Sequence, residues 1–239
     1  MKIQTREDYK KLITYLKEIS AGQSFIDFSK KTIKTQREII GVRTSDLRKI
    51  AKQIYKNGYV YFFEFGDMFY YEEVFLKALI ASHEKDFNKA KELFSKVFKY
   101  VDNWAIIDMV VSRLSFVKYE DEGVVFDYFK SLLYGEEFAV RFGIVGLMKY
   151  FLKTEKDVEK VLEVLKNINY GRYYVDMAIA WLISEVLIKF PQKAINNMQK
   201  IIKNSHFNAF IINKGIQKAC ESYRLGKDIK EQLKGLKLK

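Results

Sequence analysis

Apolar side chains recur at helical spacing along almost the whole chain. In the first stretch Tyr9, Leu12, Ile13, Leu16 and Ile19 fall on one stripe, the pattern of a helix that buries one face. Thr5, with Asp8 three residues on, reads as the capping box that starts this helix. A second helix is predicted over 22–35, and a third runs from a Ser45 cap through Tyr55 until Asn57-Gly58 ends it. Further helices are predicted over 59–66, 70–83, 86–100, 103–117, 121–133, 137–152, 155–167, 172–189, 191–203, 207–220 and 227–236. Pro191 falls in the first turn of its helix, where a missing N–H does no harm. The aromatic run Tyr59–Phe65 has strand-like composition but sits inside a helical array.

The sparse turn residues, 1 Pro and 12 Gly in 239 residues, fit long helices joined by short polar links. No linker rich in Gly, Ser or Pro interrupts the chain, so it reads as a single domain over 1–239. Most of these helices are 10–17 residues long and form about six pairs, each near the period of HEAT or armadillo units. The fold class expected is therefore all-α, a HEAT-like helical-repeat solenoid. A solenoid of this kind offers an extended concave surface that suits a long ligand. An irregular helical bundle is the competing architecture.

Composition narrows the function. At 49% apolar and 30% charged the chain can bury a core and is not disordered. No stretch reaches 18 apolar residues free of charge, so no membrane span is expected. The start, MKIQTREDYKK, has no apolar signal segment. A lone Cys220 closes no internal disulfide, which fits a reducing cytoplasm. The net charge of +12 suggests a polyanionic partner. It is carried by the two ends. Residues 1–60 hold 14 Lys/Arg against 6 Asp/Glu, residues 200–239 hold 10 against 3, and the middle is net −3. A lysine-rich surface that only maintains solubility is the plainer reading.

A few side chains stand out against this background. Trp104 and Asp108 in DNWAIID are four apart and share a helix face. A core Trp with a capping or pairing Asp is the structural alternative. Arg141 lies in FAVRFGIVGLMKYF, among almost wholly apolar neighbours. It is either one half of a structural ion pair, with Asp108 as one partner to consider, or a phosphate clamp supported by Lys149. Gly143 and Gly146 on the same helix permit close approach of a helix or a ligand. Trp181 in AIAWLISE is either core or part of the same surface, with Tyr173 and Tyr174 beside it. Arg43, Arg48, Lys49 and Lys52 form a basic group that either contacts phosphates or is a solvated helix face. His83, His206 and Cys220 make no metal-ligand spacing, so no metal is expected. Neither a phosphate-loop glycine pattern nor a Ser/His/Asp constellation is visible.

Taken in order and spacing, NWAIID, VRFGIVGLMKY and MAIAWLISEVLIKFP resemble the AlkD-type DNA glycosylases of the HEAT-like-repeat DNA alkylation repair family. The resemblance runs from GVRTSDLRK near 41 to NKGIQKACESYR near 213–224. It implies that Trp104, Asp108, Arg141 and Trp181 line a concave cleft, with Asp108 as the catalytic carboxylate. It also implies a monofunctional glycosylase that removes cationic N3- or N7-alkylated purines from double-stranded DNA, without a metal, a cofactor or a flipped-out base. Three positions depart from the family pattern. Asn103 stands where some catalytic members carry an aromatic, Ser184 where a basic residue can occur, and Ser45 where a Pro is usual. The family also has non-catalytic branches that bind branched or distorted DNA, which is the alternative function. A scaffold that binds protein through an apolar concave face is a third. A monomer is expected, since a repeat array of this size closes its core alone.

Overall fold

The computed structural model describes residues 1–166, 168–204 and 206–239. Among these residues it is all-α, with fourteen α-helices, two short 3-10 turns and no strand. One isolated bridge joins Glu38 to Tyr70. Residue 167, the last of the helix predicted over 155–167, lies outside the described residues. Contacts divide the chain into two compact units, Met1–Glu122 and Gly123–Lys239, each of which is described by itself.

The N-terminal unit contains α1 (Arg6–Glu18), α2 (Gln23–Ile33), α3 (Thr44–Asn57), α4 (Val60–Phe65), α5 (Tyr71–His83), α6 (Phe87–Phe98) and α7 (Trp104–Val111). The predicted capping box is present in α1, where Thr5 Oγ1 accepts from the Asp8 N–H and Asp8 accepts from the Thr5 N–H. Tyr9, Leu12 and Leu16 from its apolar stripe are buried. The 59–65 run forms helix α4 rather than a strand. At its centre α5 packs against α3, α6 and α7. All but the last of its residues are buried, including three charged ones, Glu72, Glu73 and Lys77.

These buried charges are partnered. Glu72 accepts the backbone N–H groups of Ile40 at 3.0 Å, Gly41 at 2.8 Å and Val42 at 3.2 Å, which fastens the loop ahead of α3. Burial pushes its carboxyl above the usual range, and the same N–H groups oppose the shift. Glu73 accepts from the Tyr9 hydroxyl and, at 2.7 Å, from the Tyr70 N–H. Lys77 donates to the Phe63 carbonyl at 3.0 Å and lies over the rings of Phe62 and Phe63. Burial lowers its pKa to about 8.

Two boundaries differ from the sequence reading. Arg43, not Ser45, is the N-cap of α3, and Ser45 lies within the first turn. With residues 40–42 pinned to Glu72, the chain stays extended through Arg43, and its carbonyl accepts the first helical bond, from Leu47 at 3.1 Å. The helix predicted over 103–117 ends at Val111, and a separate 3-10 turn covers Phe116–Lys118. Between them the Ser115 N–H leaves the helical pattern to donate to the Ser82 carbonyl at 2.9 Å.

The C-terminal unit contains α8 (Glu122–Leu132, its first residue at the boundary), α9 (Glu137–Tyr150), α10 (Glu155–Leu165), α11 (Tyr173–Lys189), α12 (Ala194–Asn204), α13 (Ala209–Glu221) and α14 (Lys227–Gly235). Pro191 opens a 3-10 turn, Pro191–Lys193, that leads into α12. Here α11 is the central helix, packed against α9, α12 and α13. Most of its residues are buried, and Tyr174, Met177, Trp181 and Glu185 form a half-buried line along it. Small residues set the closest approaches. A Cβ on Gly146 would meet the Phe129 ring of α8 at 2.4 Å, and one on Gly143 would meet the Phe129 carbonyl at 2.7 Å. The bulk missing from α9 is thus filled by a helix. Gly215 of α13 admits Ile183 of α11 in the same way, at 2.8 Å.

Candidate functional site

Trp104 is the first residue of α7, and the preceding residues hold it there. Asn103 is fully buried, and its side-chain oxygen accepts from the N–H groups of Ala105 at 3.1 Å and Ile106 at 3.4 Å. That satisfies two donors at the helix start. The departure from an aromatic at 103 therefore has a structural role. Asp102 ties this corner to the loop after α2. Its carboxylate accepts from the Thr35 hydroxyl at 2.8 Å, the Gln36 N–H at 2.9 Å and the Asn103 amide at 2.8 Å.

The Trp104 indole is half-buried, and its Nε1–H points to the Thr32 carbonyl in the last turn of α2, at 3.4 Å. It helps line a cavity of about 160 Å³ with Phe25, Phe28, Thr44, Phe75 and Met109. Asp108 lies one turn on, also half-buried. Four residues along a helix is one turn, so the indole and the carboxylate share a face of α7, as expected. The Thr44 hydroxyl at the start of α3 reaches Met109 Sδ at 3.9 Å, which sets α3 and α7 side by side.

In the C-terminal unit Arg141 projects from the middle of α9 and is 5% exposed. Its Nη1 donates to the Tyr174 carbonyl in the first turn of α11, at 2.9 Å. One turn earlier on α9, Glu137 accepts the Tyr174 N–H at 2.8 Å. Phe138 packs on the Tyr174 ring with centroids 5.2 Å apart. Both polar groups of the Tyr174 backbone are thus held by α9, which fixes the start of α11. Tyr173, beside it, is exposed. The turn ahead of α11 is closed by Asp176, whose carboxylate accepts the Gly171 N–H at 2.7 Å. Gly171 has φ +100°, where a side chain would be strained.

Trp181 is half-buried two turns after Tyr174 on α11. Its carbonyl accepts the Ser184 hydroxyl at 2.7 Å. Ser184 is buried, and its hydroxyl serves the helix backbone. Lys149 is exposed near the end of α9.

The basic group at the start of α3 splits by environment. Arg43 lies over the Phe25 ring at 5.4 Å, and Lys49 pairs with Asp46 at 3.0 Å. Lys52 is exposed, whereas Arg48 is half-buried and its Nε has no hydrogen-bond partner among the described residues. The sequence reading did not single out Asp102 or Glu72. Asp102 adjoins the NWAIID motif, and nothing in its spacing announces a bond to residues 35 and 36.

Among the described residues no group of three or more His, Cys, Asp or Glu side chains can hold a metal ion. No described helix is long and apolar enough to cross a membrane. Neither a curated protein nor a solved structure matches the chain. The model of the DNA alkylation repair enzyme family matches residues 17–218, over the segments that carry Trp104, Asp108, Arg141 and Trp181, and the chain belongs to that family.

Proposed function

We propose that this protein is a monofunctional DNA glycosylase that hydrolyses the N-glycosidic bond of cationic N3- or N7-alkylated purines in double-stranded DNA. The observation that carries this reading is the pairing of a half-buried carboxylate, Asp108, with the Trp104 indole on one face of α7. Membership of a DNA alkylation repair family gives the substrate class its support.

The chemistry needs few groups. A glycosidase ordinarily uses one carboxyl group to protonate the leaving group and a second on the other face of the sugar. An N7-alkylated purine already carries a positive charge and leaves as a neutral base, so no general acid is required. Positive charge then grows on the deoxyribose. In this proposal the Asp108 carboxylate stabilises that charge and orients the attacking water. Trp104 and Trp181 are the residues whose indole faces are assigned to cation stabilisation. Arg141 acts on a neighbouring phosphate while its Nη1 remains anchored to the Tyr174 carbonyl. Lys149, Arg43, Arg48, Lys49 and Lys52 contact the DNA backbone. A base left in the stack avoids an unstacking cost of a few kcal/mol.

The test is single-turnover release of free base from a duplex containing N7-methylguanine. Wild type should release it. Asp108→Asn should bind the duplex equally well and release base about a hundredfold more slowly or worse. Equal release by the two proteins removes Asp108 from the mechanism. A second reading, binding of branched or distorted DNA without catalysis, is favoured by Asn103 and Ser184. Both occupy family-variable positions and are engaged in structure. It predicts binding to a four-way junction that exceeds binding to duplex, and no base release.

A further inference from the structure

We infer that Arg48, Lys52, His83 and Arg113 form a phosphate-binding site on the N-terminal unit, and that a phosphodiester of the DNA backbone occupies it. The inference rests on DNA being the partner and extends the basic group of α3 to two residues outside that helix.

Three elements bring the four side chains together. Arg48 and Lys52 are one turn apart on α3 and share its face. Thr44, one turn before Arg48, touches Met109 of α7 at 3.9 Å, and Arg113 lies just past the end of α7, its N–H bonded to the Val110 carbonyl at 2.9 Å. With α3 and α7 side by side, the turn after α7 brings the Arg113 charge close enough to act on Arg48. From the other side, the Ser115 N–H is bonded to the Ser82 carbonyl at 2.9 Å. That bond draws the segment carrying Arg113 against the end of α5, where His83 is the next residue. The His83 ring in turn lies 5.8 Å from the ring of Tyr55 on α3, three residues after Lys52.

The charges of this group oppose one another. Burial and then the Arg113 charge disfavour the charged form of Arg48. Burial, followed by Lys52 and Arg113, disfavours protonated His83. Among the described residues none of the four has a carboxylate partner within 4.0 Å. The neighbouring Glu84 accepts from the hydroxyls of Tyr59 at 2.7 Å and Tyr55 at 3.4 Å, and from the N–H groups of Lys85 and Asp86. Arg48 Nε is a buried donor without an acceptor among the described residues, a state that folded proteins seldom leave unmet. An oxyanion with several acceptor oxygens supplies that acceptor and offsets the repulsion, and guanidinium geometry suits phosphate.

The test is binding of undamaged duplex over a range of salt concentrations, which is independent of base release. Arg48→Gln and Arg113→Gln should each weaken binding about tenfold and lower the log–log salt slope by about 1. Arg113→Lys, which keeps the charge, should keep most of the slope. Lys200→Gln, in the other unit, should leave it nearly unchanged. Thermal melting of each variant verifies folding. In parallel, inorganic phosphate at constant ionic strength should raise the melting temperature of wild type and not that of the Arg48→Gln/Arg113→Gln double variant. Unchanged slopes in both single variants, with no phosphate stabilisation that the double variant loses, overturn the site. Stabilisation by inorganic phosphate that the double variant loses, with unchanged DNA slopes, makes it a site for free phosphate and rejects DNA as its ligand. If base release from alkylated DNA fails while the slopes fall as expected, the glycosylase reading is lost and this site stands.

Discussion

Asn103 shows how a residue that looks like a lost catalytic feature can be structural. It is buried, caps α7 and holds Asp102, so the position of Trp104 depends on it. Asn103→Ala should lower stability by about 1 kcal/mol, the usual worth of a cap. It should also slow base release through the displaced indole. Urea denaturation and the single-turnover assay measure the two effects separately. Trp181→Ala should slow release about tenfold, the scale of a desolvated cation–π contact. A Trp181 that is only core would lower the melting temperature and leave the single-turnover rate of the folded protein intact. Lys77 tests burial directly. Its pKa in the folded protein, about 8, lies below the ordinary lysine value of 10.5. Between those values the unfolded chain binds more protons, so stability should rise as pH increases from 7 to 9.5. Conversely, this stability is lost as pH falls through about 8. Lys77→Met should flatten that rise. An unchanged pH dependence in the variant contradicts a buried, destabilising ammonium.

At the scale of elements, the sequence announces local structure and hides what depends on distant chain. The Thr5–Asp8 box and the Tyr9–Leu12–Leu16 stripe are legible because both partners lie within two turns. The start of α3 is not, because Glu72, about thirty residues away, holds the preceding loop extended. The end of α7 is hidden for the same reason, since the apolar pattern runs on through Phe116 and a bond to Ser82 breaks the helix. Nothing local in the sequence announces that Glu72, Glu73 and Lys77 of α5 are buried, because their partners lie in α1, the loop after α2, and α4. Gly143 and Gly146 signal a close approach without naming what approaches. That partner is Phe129, and Gly146→Ala should therefore destabilise the C-terminal unit by about 1–3 kcal/mol through overpacking. Denaturant titration reads this, and the companion variant Phe129→Leu, which frees space beside Gly146, should recover part of the loss. No loss in Gly146→Ala would mean that the α8–α9 contact is looser than 2.4 Å implies.

At the scale of the whole molecule, two apolar helices, α5 and α11, anchor the two units, and the residues proposed to act on DNA hang from them. Trp104 and Asp108 lie on α7, which packs on α5. Trp181 lies on α11 itself, and Arg141 on α9, which packs on α11. The four residue types were legible as a set only through their order along the chain, since spacing alone left each with a structural alternative. The net charge of +12 gave the partner's sign but not its place. The proposed phosphate site is one such place, where packing brings Arg113 and His83 near Arg48 and Lys52.

The central claim is that one carboxylate suffices because the departing base is itself a cation. The most direct measurement is single-turnover release of free base by wild type from two otherwise identical duplexes, one carrying N7-methylguanine and the other neutral uracil. The account predicts release of the cationic base and none of the neutral one. A duplex that is bound while its N7-methylguanine stays attached would contradict it.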